Sequence, residues 1–168
     1  MISTLPRLVD LSQGIKYFLV AFLVLMTIGV TVGLVYVNLT TGLSGRGTTE
    51  HYTGSQLEDD MDIPDKYPKE FASMLLTTHT HLISFSFIFF FLGAMFYMNS
   101  IITGFWKTFM MVEPFLSVLG MFGSIWGLRY VSPTFANFTM IFGALTYVTY
   151  YVLTAVILYE LLLKKVRH

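Results

Sequence analysis

Four long apolar stretches organise the chain. They run roughly over residues 17–37, 71–98, 108–128 and 135–163, and polar segments marked by Gly and Pro separate them. A bilayer-spanning helix needs ~20 mostly apolar residues, and each stretch is that long. None alternates with the period of two that barrel strands would show. A helix in lipid satisfies its own backbone hydrogen bonds. The pattern therefore predicts an all-α integral membrane four-helix bundle, a single domain over residues 1–168. The first stretch exceeds a signal-peptide core, and Asn38-Leu39-Thr40-Thr41-Gly42 after it lacks a cleavage pattern, so it reads as a retained helix. Residues 1–16 read as a short amphipathic lead-in at the membrane interface.

Composition sharpens this picture. The 168 residues are 55% hydrophobic and 12% charged, with a mean hydropathy of +0.68. Soluble domains carry about 25% charged residues. That deficit argues against a water-soluble enzyme, and the hydrophobicity excludes a disordered chain. Formal net charge is zero, which gives no nucleic-acid footprint. The chain has no Cys, which removes disulfides, iron–sulfur clusters, thiolate zinc and covalently attached haem.

The loop cations suggest an orientation. Arg7, Lys16, Lys107, Lys164, Lys165 and Arg167 fall on one side, and Arg46, Lys66, Lys69 and Arg129 on the other. The bias places both termini in the cytoplasm and the 38–70 loop outside, in a bacterial inner membrane. Trp106 and Trp126 then fall where interface anchors belong. The 38–70 loop carries Glu50, Glu58, Asp59, Asp60, Asp62, Asp65 and Glu70 against Arg46, Lys66 and Lys69. Its Gly and Pro residues predict turns rather than elements. It reads either as a solvated loop or as a docking surface for a basic partner, such as a c-type cytochrome or a neighbouring subunit. Glu58-Asp59-Asp60-Met61-Asp62 lacks the spacing of an EF-hand calcium loop.

His79 and His81 lie about two turns inside the second span, in Leu76-Thr77-Thr78-His79-Thr80-His81-Leu82. Ionisable groups within a span are costly and are functional candidates. Residues i and i+2 point ~200° apart on a helix, so a regular helix cannot aim both at one metal. Thr77, His81 and Ser84 share a face, which suits His81 to a role inside the bundle, and His79 then faces a neighbouring chain. The other spans carry no histidine. A haem would therefore need one of the pair plus Met121, Met140 or a histidine from another chain; methionine serves haem and copper alike. Structural histidines, haem or metal ligands, and quinone contact or a proton relay all stay open. Arg129 is a candidate partner for an outer acidic group or a haem propionate. Glu113, beside a helix-bending Pro114, reads as a protonatable group, a partner of Lys107 or a snorkelling carboxylate. Glu160 is expected to pair with Lys164. Gly29-x-x-x-Gly33 and Gly123-x-x-x-Gly127 offer small-residue faces for close helix contact.

The Thr78-His79-x-His81-Leu82 motif leads into a Phe/Leu-rich span with Gly93, and is preceded by Tyr52-x-Gly54, Pro64 and Pro68-Lys69. In these features the chain resembles small uncharacterised bacterial inner-membrane proteins that carry a Thr-His-x-His motif at the outer end of a helix and occur alongside respiratory c-type cytochromes. The resemblance covers about residues 30–130. It implies electron transfer and assigns no ligand. The expectation is a small membrane subunit of a respiratory or photosynthetic electron-transfer complex. Its partners are the lipid bilayer and other membrane subunits or a second copy. Haem b is the first cofactor candidate, with copper or quinone behind it. The metal and cofactor candidates are His79 and His81, with Met121, Met140 and Arg129 beside them. The alternatives are a cofactor-free accessory subunit and, third, a small-solute transporter. No catalytic constellation marks the chain as an enzyme by itself.

Overall fold

The computed structural model describes residues 6–55 and 63–164. The acidic run at 58–62 and the terminal Lys165, Arg167 and His168 lie outside the described residues. Among the described residues there are five α-helices: α1 (Gln13–Thr41), α2 (Gly45–Thr53), α3 (Phe71–Tyr97), α4 (Phe105–Tyr130) and α5 (Phe135–Leu162). No strand occurs among the described residues. All but α2 are long and apolar enough to cross a membrane.

The spans extend past their apolar cores. α1 continues beyond Val37 because the hydroxyls of Thr40 and Thr41 donate back to the carbonyls of Tyr36 and Val37, at 2.9 and 2.8 Å. It ends at Gly42, whose φ of 59° is left-handed and whose N–H donates to the Asn38 carbonyl.

The connection after α1 was expected to hold turns alone, and it holds α2. Its Gly- and Thr-rich sequence has little intrinsic helix preference. Local contacts stabilise it instead. Ser44 caps its N-terminus by accepting from Gly47 N–H at 3.0 Å. Arg46 pairs with Glu50 one turn on at 2.8 Å. A Cβ at Gly47 would lie 2.0 Å from the Thr41 carbonyl oxygen, so only glycine lets α2 fold back so closely on α1. α2 lies across one end of the bundle against α4 and α5.

Within the lead-in, the short turn Leu8–Asp10 packs against α5 at the other end of the bundle. Leu8 is fully buried, its N–H donates to the Met98 carbonyl at 3.1 Å, and the Lys16 ammonium donates to the Val9 carbonyl at 2.7 Å.

α4 and α5 form the most extensive helix pair, α3 packs mainly on α4, and α1 leans on α2 and α5. The core gathers Phe89, Leu92 and Phe96 of α3, Val118, Phe122 and Ile125 of α4, and Tyr150, Leu153 and Ile157 of α5. The α4–α5 seam runs antiparallel with a seven-residue repeat on each helix. The Phe135 ring covers Gly127, and the Phe142 ring covers Gly120. One repeat further, Thr149 donates to a Glu113 carboxylate oxygen at 2.6 Å, and Ser117 donates to the other oxygen. Gly29 and Gly123 meet nothing within 4 Å. The close glycine seam of this bundle is therefore Gly120/Gly127, which takes Gly127 from the Gly123-x-x-x-Gly127 motif and nothing from Gly29-x-x-x-Gly33. α4 runs without interruption through the buried Pro114.

Two expected ion pairs are not formed. Lys107 donates to the carbonyls of Tyr97 and Asn99, at 2.7 and 2.8 Å, rather than to Glu113. Glu160 is fully buried and accepts from Ser100: one carboxylate oxygen takes its N–H at 2.8 Å and the other its hydroxyl at 2.5 Å. Lys164 reaches the same hydroxyl at 2.7 Å, not the carboxylate. The unpaired backbone groups of the α3–α4 connection explain this: the Ser100 N–H draws Glu160, and the carbonyls of Tyr97 and Asn99 draw Lys107. Asn99 satisfies two more, accepting from the N–H groups of Ile101 and Ile102 at 2.9 and 2.8 Å.

Candidate functional site

Both histidines lie on the exposed surface of α3, on different sides of the helix. His79 and His81 are eight and ten residues past Phe71, or ~12 and ~15 Å along the axis. Both are exposed on the bundle surface, so the expected inward placement of His81 is not found within the chain. The two still differ. His81 lies against α4, its ring centroid 5.6 Å from that of Phe122 and 6.1 Å from that of Phe85. His79 makes no hydrogen bond or ring contact with any described residue.

A backbone bond holds the His81 ring. Its Nδ1 lies 2.8 Å from the Thr77 carbonyl oxygen. A carbonyl can only accept, so Nδ1 carries the proton. In the neutral ring Nε2 is then left with its lone pair. This is how metal-binding histidines are usually oriented. Thr77 was expected to orient His81, and it does so through its main chain; Ser84 takes no part. Thr78 accepts a bond from Trp126 Nε1 at 2.9 Å, which ties α3 to α4 beside the pair. Trp126 also packs its ring against Phe71 and Tyr130, which adds to the brace between the helices.

The other candidates do not converge on the histidines. The Met140 sulfur accepts from the Thr48 hydroxyl at 3.5 Å and so faces α2. The Met121 sulfur lies over Gly143 of α5. Arg129 donates through Nε to the Lys69 carbonyl at 3.1 Å, and its guanidinium lies 5.0 Å from the Tyr130 ring centroid. It braces the start of α3 rather than meeting a carboxylate. No group of three or more His, Asp or Glu side chains that could hold a metal occurs among the described residues.

A second site was not anticipated. At the α2 end, Leu39, Thr40, His51, Lys66, Tyr67 and Lys69 line a cleft of about 360 Å³. Lys66 donates one ammonium proton to the Thr40 carbonyl at 3.1 Å. Burial, followed by the charges of Lys69 and Lys66, lowers the His51 pKa from its ordinary value. The loop is acidic in sequence, yet the cleft within its described part is lined by cations. Summed loop charge hides this, because it does not say which side chains face one cavity.

No curated protein and no solved structure matches the chain. A family profile described as a transmembrane helical domain matches residues 42–168, from the end of α1 through α5. Four helices of spanning length and apolarity, packed around one core, agree with that description. The chain belongs to the Aq_1264_TM family of transmembrane helical domains and is a multi-pass membrane protein.

Proposed function

We propose that the protein is a small subunit of a membrane electron-transfer complex, and that it meets its partner through the exposed side of α3 that carries His81. The observation that carries this reading is the His81 ring. Its Nδ1 is held by the Thr77 carbonyl at 2.8 Å, while its Nε2 lone pair is left on a surface at membrane depth. An imidazole facing hydrocarbon is costly unless another group covers it. A haem or metal shared with a partner chain, or a quinol hydroxyl donating to Nε2, would each satisfy that lone pair. Met121 and Met140 are engaged elsewhere, so the remaining ligands come from the partner. Lys and Arg placement supports cytoplasmic termini in a bacterial inner membrane, with α2 and the 38–70 loop outside. A c-type cytochrome docking on the acid-rich loop belongs to the same reading.

A cofactor-free accessory subunit is the second reading. It is favoured by the lack of any three-residue metal group among the described side chains. The test is to purify the protein with its neighbours in mild detergent and record visible spectrum and metal content. His81→Ala should lose a chromophore or metal that the parent and His79→Ala retain. Unchanged content in both variants would leave the accessory subunit standing.

A further inference from the structure

The helix that walls the cationic cleft, α1, also carries an apolar groove. The groove, about 310 Å³, is lined by Thr27, Ile28, Thr31, Val32 and Val35. The cleft's wall on the same helix is Leu39 and Thr40. Ile28, Val32, Val35 and Leu39 are spaced by four, three and four, so they form one stripe on α1. Val35 and Leu39 are one turn apart, ~6 Å along the axis. All four are exposed, at 56%, 63%, 52% and 79%. The two threonines of the groove spend their hydroxyls on Tyr150 and Tyr151, at 3.1 and 2.8 Å, which leaves the outward surface apolar.

We propose that this surface binds one anionic phospholipid, with its phosphate among Lys66, Lys69 and His51 and one acyl chain along Ile28, Val32 and Val35. Ammonium–phosphate bonds are charge-assisted and strong. Lys66 keeps two of its three protons after its bond to Thr40. The Lys69 side chain makes no hydrogen bond or ion pair with any described residue. Asp65 and Glu70 do not line the cleft, and Glu50 is engaged by Arg46. Basic pockets between spanning helices suit lipid headgroups. A free phosphate would use the cleft alone, whereas a lipid uses the cleft and the groove, which share one helix stripe. A zwitterionic lipid brings its own ammonium against two lysines, so the site discriminates by headgroup charge. The inference is independent of electron transfer.

The test is native mass spectrometry of the full chain in mild detergent, titrated with phosphatidylglycerol, phosphatidylcholine or inorganic phosphate. One phosphatidylglycerol should bind about tenfold or more tighter than phosphatidylcholine. Millimolar inorganic phosphate should not displace it. Lys69→Gln, with or without Lys66→Gln, should erase the preference, and Val32→Trp should weaken phosphatidylglycerol binding by filling the groove. Arg7→Gln, at an exposed cation near the opposite end of the bundle and outside the cleft, should change nothing. Lys69→Gln keeps the test decisive if the double variant does not fold, because the Lys69 side chain has no described partner to lose. Equal binding of the two lipids, or an undiminished preference in Lys69→Gln, overturns the proposal. Displacement by inorganic phosphate overturns the lipid and makes the cleft a site for a soluble anion.

Discussion

Gly120→Ala probes the seam that holds α4 to α5. A Cβ there would lie 2.8, 2.9 and 2.9 Å from three atoms of the Phe142 ring. Those near-equal distances mean the ring lies flat over the glycine. Carbon atoms in contact sit at ~3.5 Å or more, so the ring or the helix must retreat by ~0.6–0.7 Å. Overpacking of this kind costs ~1–3 kcal/mol. Alanine recovers up to ~1 kcal/mol of helix preference. With the full offset the net loss lies in the range ~0–2 kcal/mol, and the expected value is ~1 kcal/mol. Gly123→Ala is the internal control. It makes the same chemical change three residues along α4, where the new Cβ meets nothing within 4 Å. It should be neutral or slightly stabilising. The assay is loss of helical circular dichroism during titration of mixed micelles with SDS. Phe142→Leu in the Gly120→Ala background should restore part of the loss. A Gly120→Ala protein as stable as the parent, or a Gly123→Ala protein equally damaged, would refute the assigned seam.

Three further predictions follow from other parts of the molecule. Glu160→Ala should cost about 1–3 kcal/mol in the same titration, because it orphans the Ser100 N–H in a buried site; Glu160→Gln, which keeps one acceptor, should cost less. His51 has its pKa held below the ordinary 6.5 by burial and then by Lys69 and Lys66, so the unfolded chain takes the proton first. This part of the stability is complete above pH 6.5 and declines as pH falls from there through the lowered value. His51→Gln should flatten that limb of a stability–pH curve, and an unchanged limb would remove His51 as its cause. In intact cells a membrane-impermeant thiol reagent should label Ser55→Cys and spare Thr103→Cys, against a background with no native cysteine. The reverse pattern would invert the topology. Ser55 is the better position than Gly54, whose φ of +87° and 2.9 Å approach to Pro68 leave no room for a side chain.

The membrane fold was legible because the apolar stretches are long, and a span needs no partner to declare itself. Their ends were less so. α4 begins at Phe105 rather than near Thr108, and α1 runs on through Thr40 and Thr41 by returning hydroxyls to its own carbonyls. α2 was hidden because its stability comes from a cap, an ion pair and a glycine contact, not from periodicity. The Arg46/Glu50 spacing was the one signal available. Pairings read from nearness in sequence failed where a distant backbone donor competed. Glu160 lies four residues from Lys164 but binds Ser100, sixty residues away. The histidine pair was visible as chemistry out of place in a span. Which way each ring points depended on how α3 turns against α4, and that is set by Phe122 and Trp126.

The most direct test of the proposed role is pulsed electron paramagnetic resonance on the complex in native membranes, with nitrogen-15 histidine. The account predicts imidazole-nitrogen coupling to a haem, copper or semiquinone centre, abolished by His81→Ala and preserved in His79→Ala. Coupling that survives in His81→Ala, or its absence in the parent, would contradict it.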